Sequence, residues 1–460
     1  MEKNIDNNRV QLYPSDWRWS ASIVGLIKYF DYNGLDYVIT DDYLEFELSL
    51  INEERYFLFV ENHFKDLMHH KKLENLLEIN EPTEEQVKVI NDILKMNIKI
   101  IKNFFKGYKY NGNNKEELKN QIVNNRMELI KGTYKTGKSL YSNFCNERKI
   151  FTDRGDCCRI KGYSIDTSRK IGSQSFMANT EKFVSTDYLY FDFIPFAFSK
   201  INSKIHEAFF INNNFTIDQL IKTNKTDPMN DEKSMQSKLF FKIKNSSNFI
   251  DYDVEVIKKE REKDYFETIF VRREAVKVLE KINGKTLEAV TNPCKVKKAF
   301  AEVNKDSKGN NYRDKDSMYR LKLEKIVIDC ILNNIKLDFL IDGFLKEYER
   351  NYIISELIKI NELIYGEEKY MTEKQGAVIN SAKEVKKVLK GKQNKIRAYE
   401  QRLISAITLK DYDKVQEILL HLSAFTQVRM DFLIDLFEDF ETNKNLAYTF
   451  INTLGEKKNK

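Results

Sequence analysis

The segment 132–139 (GTYKTGKS) has the residue types and spacing of a Walker A loop, G-x-x-x-x-G-K-[ST]. Such a loop wraps its backbone amides around phosphate, and it needs a preceding strand and a parallel sheet that supplies a metal-binding aspartate. The segment before it, MELI, is short for a strand, and the run YLYFD, which ends at Asp192, is a candidate for the aspartate. Because the surrounding chain does not alternate strands with helices, a P-loop NTPase is kept as an alternative hypothesis.

The same segment also suits a loop that contacts the phosphates of a nucleic acid. Lysines supply positive charge, hydroxyl and amide groups donate hydrogen bonds, and a tyrosine stacks on a base or a sugar. The predicted contact residues are Lys131, Tyr134, Lys135, Lys138, Ser139 and Asn143. We favour this interpretation over ATP binding.

A second basic cluster lies in the segment SAKEVKKVLKGKQNKIR near the end of the chain. Four of its lysines recur at the spacing i, i+3, i+4 and i+7, which places them on one face of a helix. Glu384 is the one acid in the cluster, so the face lacks the carboxylates that usually intersperse a solvated helix, and we expect it to contact phosphate. The basic residues are Lys383, Lys386, Lys387, Lys390, Lys392, Lys395 and Arg397.

Two smaller polar groups are further candidates for nucleic-acid contacts. Arg272 and Arg273 follow an apolar strand. Asn212, Asn213 and Asn214 follow the run HEAFFI and offer amide donors and acceptors that suit the edges of bases.

Cysteine and histidine spacings predict neither a metal centre nor a catalytic one. Cys145, Cys157 and Cys158 are close in sequence, but structural zinc sites usually have two C-x-x-C knuckles or paired histidines, so the three are weak candidates. The five histidines have no spacing typical of a catalytic triad, and the aspartates and glutamates have no spacing that indicates a catalytic site. We expect no enzymatic activity and no cofactor.

Length and charge narrow the class of protein. The 460 residues suffice for two or three domains with a large core. The 76 basic residues nearly balance 70 acidic ones, so only local clustering supports nucleic-acid binding. No apolar run approaches the roughly 18 residues of a membrane span, and the start lacks a signal-peptide pattern. We therefore expect a cytoplasmic protein that contacts no membrane.

The elements that must position these residues follow from periodicity and capping signals. A helix is predicted after Ser15 or Asp16, where tryptophans and aliphatic residues recur at near-helical spacing. Short strands are predicted at DYVIT and YLEFEL, a helix from about Glu84 to Phe105 after the start signal PTEEQ, and a strand at YLYFDFIPFAF. Residues 251–279 are predicted to form strand, turn, strand and helix.

The fold class is predicted to be α+β, with a mixed N-terminal and central α/β region, irregular loops, and a C-terminal all-helical bundle. After about residue 319 prolines are absent and apolar residues recur at helical spacing. The predicted domains are 1–125 (N-terminal region with an amphipathic helix), 126–318 (central α+β region with nucleic-acid-contact loops), 319–371 (helical connection) and 372–460 (C-terminal helical bundle).

Several segments resemble, in order along the chain, the large subunit of subtype I-B CRISPR Cascade complexes. YPSDWRWSASIVGLIKYF resembles the family's N-terminus, and NLAYTFINTLGEKK resembles its ending. GKSLYSNF, HEAFFINNN and YFETIFVRREAVKVL resemble its middle blocks, so the resemblance spans most of the chain. Many members carry two C-x-x-C pairs in the middle region, whereas this chain has only Cys145 and the Cys157–Cys158 doublet there.

The resemblance implies a non-catalytic subunit of a crRNA-guided surveillance complex that serves antiviral defence. Such a subunit binds the crRNA 5′ handle region and target DNA, recognises the PAM, helps open the duplex and docks a helicase–nuclease, while base pairing reads the target. The implied partners are crRNA, target double-stranded DNA, the backbone, handle-capping and small subunits, and the recruited helicase–nuclease. In related systems the bundle is also made separately, which makes Met371 a candidate internal start. A stand-alone RNA-binding protein is the remaining alternative.

Overall fold

The protein forms two compact units, described by themselves below. Unit 1 comprises Met1–Met235 and Asn248–Phe270, and unit 2 comprises Gln236–Ser247 and Val271–Lys460. The four predicted domain ranges stay a prediction. The computed structural model describes residues 1–5, 8–96, 98–137, 139–152, 158–162, 187–199, 207–225, 235–261, 263–291, 294–296, 304–305, 311–312, 319–321, 323–347, 351–366 and 368–456.

Helices dominate both units. Those up to residue 225 are α1 (Trp17–Asn33), α2 (Glu53–His63), α3 (His69–Leu77), α4 (Glu84–Leu94), α5 (Lys99–Phe105), α6 (Lys115–Asn124), α7 (Arg126–Thr136), α8 (Tyr141–Phe144) and α9 (Ile217–Lys225). The later ones are α10 (Met235–Ser246), α11 (Arg273–Lys281), α12 (Gly284–Thr291), α13 (Leu323–Leu332), α14 (Asp338–Glu347), α15 (Asn351–Tyr365), α16 (Glu368–Val388), α17 (Gln393–Thr408), α18 (Tyr412–Thr426), α19 (Phe432–Glu438) and α20 (Phe440–Gly455). Together with the strands, they confirm the predicted α+β class.

The strands form four small sheets among the described residues. They are β1 (Glu2–Asn4), β2 (Arg9–Leu12), β3 (Val38–Ile39), β4 (Leu44–Glu47), β5 (Glu207–Asn212), β6 (Val254–Glu260), β7 (Phe266–Val271), β8 (Cys294–Val296), β9 (Asn304–Lys305), β10 (Asn311–Tyr312) and β11 (Tyr319–Leu321). Their orders are β1-β2-β4-β3, β5-β6-β7, β9-β10 and β8-β11. The strand–strand–helix pattern predicted for 251–279 is confirmed by β6, β7 and α11.

Helix α1 is the centre of unit 1. It begins after Asp16, whose side chain accepts hydrogen bonds from the amides of Arg18 and Trp19, and it ends at Gly34 in the left-handed conformation. Nearly every residue from Trp19 to Phe30 is buried, including two serines, because the helix is covered on all sides rather than on one. The predicted N-terminal helix and its cap are confirmed.

One face of the first sheet, formed by every second side chain of β2 and β4, covers part of this core. Val10 pairs with Phe46 and Leu12 with Leu44 across β2 and β4, and all four side chains are buried. Their neighbours in each strand point away from the core, as the period of two requires.

Gly25 of α1 lies where the helix approaches the backbone of a 3-10 helix, Leu189–Phe196. A Cβ atom at position 25 would lie 2.0 Å from the carbonyl oxygen of Phe193, far inside contact distance. Glycine is therefore required at this position for steric reasons, because the obstructing atom belongs to backbone and cannot rotate away.

Replacing Gly25 by alanine is expected to lower the free energy of unfolding by about 1–3 kcal/mol or more, because the extra methyl forces two packed elements apart. The matched control is Gly376→Ala in α16, where a Cβ meets nothing within 4 Å. That variant is expected to be neutral or slightly stabilising, since alanine favours helix. Urea unfolding of both variants measures the difference, and equal effects would contradict the steric explanation.

Two predicted elements differ from the structure. The single helix predicted from Glu84 to Phe105 is two helices, α4 and α5; the capping box of Thr83 and Gln86 at its start is present. The run YLYFDFIPFAF, predicted to be a strand, forms the 3-10 helix Leu189–Phe196, so that prediction is wrong. Its aromatic side chains suit a strand by propensity, but burial on every side against α1 decides the conformation.

Unit 2 ends in a helical bundle around α20, on which α15, α16, α17 and α19 all pack. The buried face of α16 follows the helical spacing i, i+4, i+7 and i+11. Its residues are Val378, Ala382, Val385 and Leu389. The predicted run of C-terminal helices is confirmed. Among the described residues, no helix has the length and apolar character to cross a membrane.

Candidate nucleic-acid interface

The segment 132–139 is largely helical. Helix α7 continues to Thr136, so residues 132–136 are not the loop that the sequence predicts. The amide of Gly137 donates to the carbonyl oxygen of Thr133 at 2.9 Å. The hydroxyl of Thr136 donates to the carbonyl oxygen of Gly132 at 2.8 Å. A Walker A loop instead turns its amides toward phosphate, and the residues MELI before it belong to α7 rather than to a strand.

The first glycine of the motif has a packing role. A Cβ at Gly132 would lie 2.3 Å from Cδ1 of Ile100 on α5. A side chain at position 132 would therefore displace the side chain of Ile100. The glycine that matches the phosphate-binding pattern is explained by the close approach of α7 and α5.

Most of the contact residues predicted around this segment already have partners or are buried. Tyr134 is fully buried, its hydroxyl 3.1 Å from that of Tyr56, so its ring is not available for stacking on a base. The ammonium of Lys131 lies 3.1 Å from a carboxylate oxygen of Glu53. Asn143 is buried, and its side chain has no hydrogen-bond partner among the described residues. Lys135 and Ser139 are partly exposed, and Lys138 lies outside the described residues.

An ion-pair network holds the start of α7 against α2 and α3. Oε1 of Glu61 lies 2.7 Å from Nε2 of His70, and Nη2 of Arg126 donates to Oε2 of Glu61 at 3.0 Å. Nη1 of Arg126 also donates to Glu74 at 3.3 Å. Burial acts to raise the pKa of Glu61, but the hydrogen bonds from His70 and Arg126 lower it overall.

Replacing Glu61 by glutamine is expected to lower the free energy of unfolding at neutral pH by about 1–3 kcal/mol, because charge-assisted hydrogen bonds are lost. Since the pKa of Glu61 is depressed in the folded protein, its stabilisation is complete above the ordinary glutamate pKa of about 4.3 and is lost as the pH falls through the folded value. Unfolding curves of both proteins across this pH range measure the difference. A difference that stays constant down to the lowest pH would contradict the assignment.

Asp192, the candidate metal ligand of the P-loop hypothesis, is fully buried inside unit 1. Its carboxylate accepts hydrogen bonds from Nη1 of Arg159 at 2.6 Å, from the hydroxyl of Tyr141 at 2.5 Å and from the amide of Phe151 at 3.0 Å. Burial acts to lower the pKa of Arg159, but Asp192 raises it overall, so the guanidinium stays charged. This buried pair links the core segments of unit 1.

Two of the three candidate cysteines, Cys145 and Cys158, are buried core residues. Cys145 is buried, with its Sγ atom 3.8 Å from the carbonyl oxygen of Phe191. Burial, together with the charge of Asp192, raises the pKa of its thiol well above the ordinary value, whereas zinc binds thiolate. Cys158 is also buried, and Cys157 lies outside the described residues. In the described ranges, no three side chains of His, Cys, Asp and Glu are grouped as metal ligands would be.

The three predicted asparagines hydrogen-bond within the protein. The amide of Asn212 donates to Glu255 at 2.9 Å, and that of Asn213 donates to Thr223 at 3.0 Å and to the carbonyl oxygen of Phe249. Asn214 is exposed, but its amide donates to the carbonyl oxygen of Pro14 at 2.9 Å. Their donors therefore stabilise the loop after β5. Of the two predicted arginines, Arg272 is exposed and Arg273 is partly buried.

The second basic cluster forms an exposed cationic surface on α16, α17 and the turn between them. We define it by six exposed residues: Lys383, Lys387, Lys390, Lys392, Lys395 and Arg397. No residue in the described part of the chain forms an ion pair with any of the six. Within the described residues, their charges are therefore not neutralised by ion pairs.

Lys386 differs from the other lysines of the predicted stripe. It is half-buried, and its ammonium donates to the carbonyl oxygen of Thr453 at 3.1 Å and to that of Glu456. These carbonyls lie at the end of α20, where a cation is favoured by the helix dipole. Lys386 belongs to the predicted stripe by sequence, but its ammonium stabilises the helical bundle.

The family model for CRISPR-associated protein Csx8 matches residues 9–228 and 221–454, which is almost the whole chain. The chain belongs to the Csx8 family. A member of this family acts in CRISPR–Cas antiviral defence, and its partners are expected among other Cas components. No curated protein and no solved structure matches the chain.

The cationic surface of this Csx8-family protein also carries an aromatic ring that sequence analysis did not select. Phe425 at the end of α18 is 45% exposed, and the ammonium of Lys395 lies 4.7 Å from its ring centre. Its position is one heptad after buried Ile418, so the helical pattern alone predicts a buried residue. Exposed rings beside cations are typical of surfaces on which bases stack.

Proposed function

We propose that this Csx8-family protein is a non-catalytic, nucleic-acid-binding subunit of a CRISPR effector complex. The cationic surface is the observation that carries the proposal. In a chain whose basic and acidic residues nearly balance, six exposed cations within fifteen residues, with no ion-pair partner among the described residues, favour a polyanion as the ligand.

The spacing of these cations supports a nucleic-acid backbone as the ligand. Lys383, Lys387 and Lys390 share one helical face, and the cluster continues through Lys392 into α17. A row of point charges fits repeated phosphates and needs no base-specific geometry. Phe425 beside Lys395 adds a ring that can stack on an unpaired base.

The finer role follows the resemblance to the large subunit of subtype I-B Cascade. In that role the protein binds the crRNA 5′ handle region and target DNA, recognises the PAM, helps open the duplex and provides the docking surface for the helicase–nuclease. Because base pairing with the guide RNA reads the target sequence, the protein itself needs to recognise only a short duplex segment, the PAM. Arg272, Lys135 and Ser139 are among the predicted contacts between residues 126 and 318 that keep exposed surface. An internal start at Met371, which lies within α16, stays a prediction.

The test is to assemble the protein with the Cas proteins encoded beside it and a guide RNA, and to titrate labelled target duplexes that differ only in the flanking PAM positions. We expect a steep loss of affinity with salt and a dependence on the flanking sequence. Binding that is independent of salt would contradict the role of the cationic surface. Equal binding to all flanking sequences would contradict PAM recognition. ATP binding that is lost in Lys138→Ala would favour the NTPase alternative instead.

A further inference from the structure

Unit 1 carries an exposed pair of aromatic rings on two neighbouring loops. Phe215 and Tyr252 are 60% and 55% exposed, and their ring centres are 4.8 Å apart. Single exposed aromatic residues are ordinary, but here two rings lie against each other with more than half of each in solvent. Neither ring belongs to the cationic surface, which lies in unit 2.

The loops that carry these rings are fixed by hydrogen bonds. Asn213 and Asn214 anchor the first loop to Thr223 and Pro14, and the amide of Ile217 donates to the carbonyl oxygen of Asp41 at 3.0 Å. The side chain of Gln219 donates to Asp251, beside Tyr252, at 3.2 Å. The loops that carry the rings are therefore held in place, which lowers the entropy lost when a partner binds.

Four exposed aspartates lie on these loops and on a third one that contacts them. Asp251 and Asp253 flank Tyr252 in sequence, and Asp41 and Asp42 lie between β3 and β4, where the carbonyl oxygen of Asp41 accepts from the amide of Ile217. Lys222, on the helix that follows the first loop, is paired with Asp218 at 2.6 Å and also lies over the ring of Phe249. The loop residues 40–43, 213–216 and 250–253 carry four carboxylates and no lysine or arginine, so phosphate is repelled from these loops and cations are attracted to them.

We propose that Phe215, Tyr252 and the four aspartates form a docking surface for a basic segment of another Cas protein. Arginine or lysine side chains of that segment stack on the aromatic rings and pair with the carboxylates, and their alkyl stems cover the ring faces. Aromatic residues that are rigid and centrally placed contribute most of the affinity in protein interfaces. Charge complementarity selects a basic protein over a nucleic acid as the occupant.

The first experiment replaces Phe215 by photoreactive benzoylphenylalanine in the full chain, assembled with guide RNA and the Cas proteins encoded beside it. Illumination is expected to crosslink position 215 to a peptide rich in lysine and arginine from one of those proteins, identified by mass spectrometry. Crosslinks to guide RNA or DNA, crosslinks to a second copy of this chain, or no crosslink in the assembled complex would each overturn the proposal.

The second experiment measures how well the crosslinked Cas protein is retained by variants. Phe215→Ala/Tyr252→Ala and Asp41→Lys/Asp42→Lys are each expected to weaken its binding about tenfold or more. Phe270→Ala removes an equally exposed phenylalanine, 68% exposed, outside the surface and should bind as the wild type does. Affinity for labelled DNA should not change in any of these variants, so loss of the partner protein with unchanged DNA binding separates this surface from the cationic one. Unchanged retention in both double variants would overturn the proposal.

Discussion

Replacing Arg159 by methionine is expected to lower the free energy of unfolding by about 3–5 kcal/mol, because it leaves a buried carboxylate without its cation. Arg159 and Asp192 are both almost fully buried, and the guanidinium also donates to the carbonyl oxygens of Lys149 at 2.6 Å and Thr152 at 2.9 Å. Tyr141 and Phe151 keep donating to Asp192 in the variant, but they carry no charge. In a domain of this size the midpoint of thermal unfolding should fall by roughly 6–20 °C.

The control for this prediction is a double variant that removes both charges. Arg159→Met combined with Asp192→Asn leaves no uncompensated charge, so it should be more stable than Arg159→Met alone. Asp192→Asn alone should also be destabilised, because the buried guanidinium then keeps only the more distant carboxylate of Asp187, 3.7 Å from its Nε atom. If the effects of the two single variants simply add in the double variant, the pair is not coupled and the explanation fails.

Local signals explain why parts of the fold are predictable. The cap at Asp16 and the capping box at Thr83 are read from a few neighbouring residues, and both are found. The C-terminal helices are predicted because apolar residues repeat every three or four positions. The break between α4 and α5 and the 3-10 helix at Leu189–Phe196 are not predictable in this way, because tertiary packing overrides local propensity there.

The Walker A pattern shows why a residue pattern does not by itself select a site. Gly132 matches the Walker A motif, yet the structure explains this glycine by the close approach of α5. Tyr134 matches a stacking role, yet its ring is buried beside Tyr56. Both explanations depend on residues that are distant in sequence. Only long-range contacts could reveal that these two residues serve packing.

The cationic surface was predictable because it depends on helical spacing alone. The predicted stripe and the observed exposed face agree at Lys383, Lys387 and Lys390. The exception, Lys386, turns to the end of α20, which no local pattern indicates. The two units thus differ in kind: predicted contacts in unit 1 mostly serve its own packing, and those in unit 2 mostly face solvent.

The triple variant Lys383→Ala/Lys387→Ala/Lys390→Ala is expected to weaken binding to a labelled duplex on the order of 100-fold, taking about 1 kcal/mol for each charged contact. These three lysines are exposed on one face of α16 and have no ion-pair partner among the residues that the structure describes. Each phosphate contact that is lost also removes about 0.9 from the slope of log affinity against log salt, so the slope should become shallower by about three. Titrations at several salt concentrations measure both quantities.

Two controls separate a specific surface from a general effect of charge. Lys99→Ala/Lys102→Ala/Lys106→Ala removes the same charge from three exposed lysines in and just after α5, at the spacing i, i+3 and i+7. It should change affinity and slope far less. Lys386→Ala should lower stability through the end of α20 with little change in the slope, because its ammonium is already bonded within the bundle. Equal losses in both triple variants would mean that net charge, rather than the α16 surface, governs binding, and an unchanged slope in the α16 triple variant would contradict phosphate contact at this face.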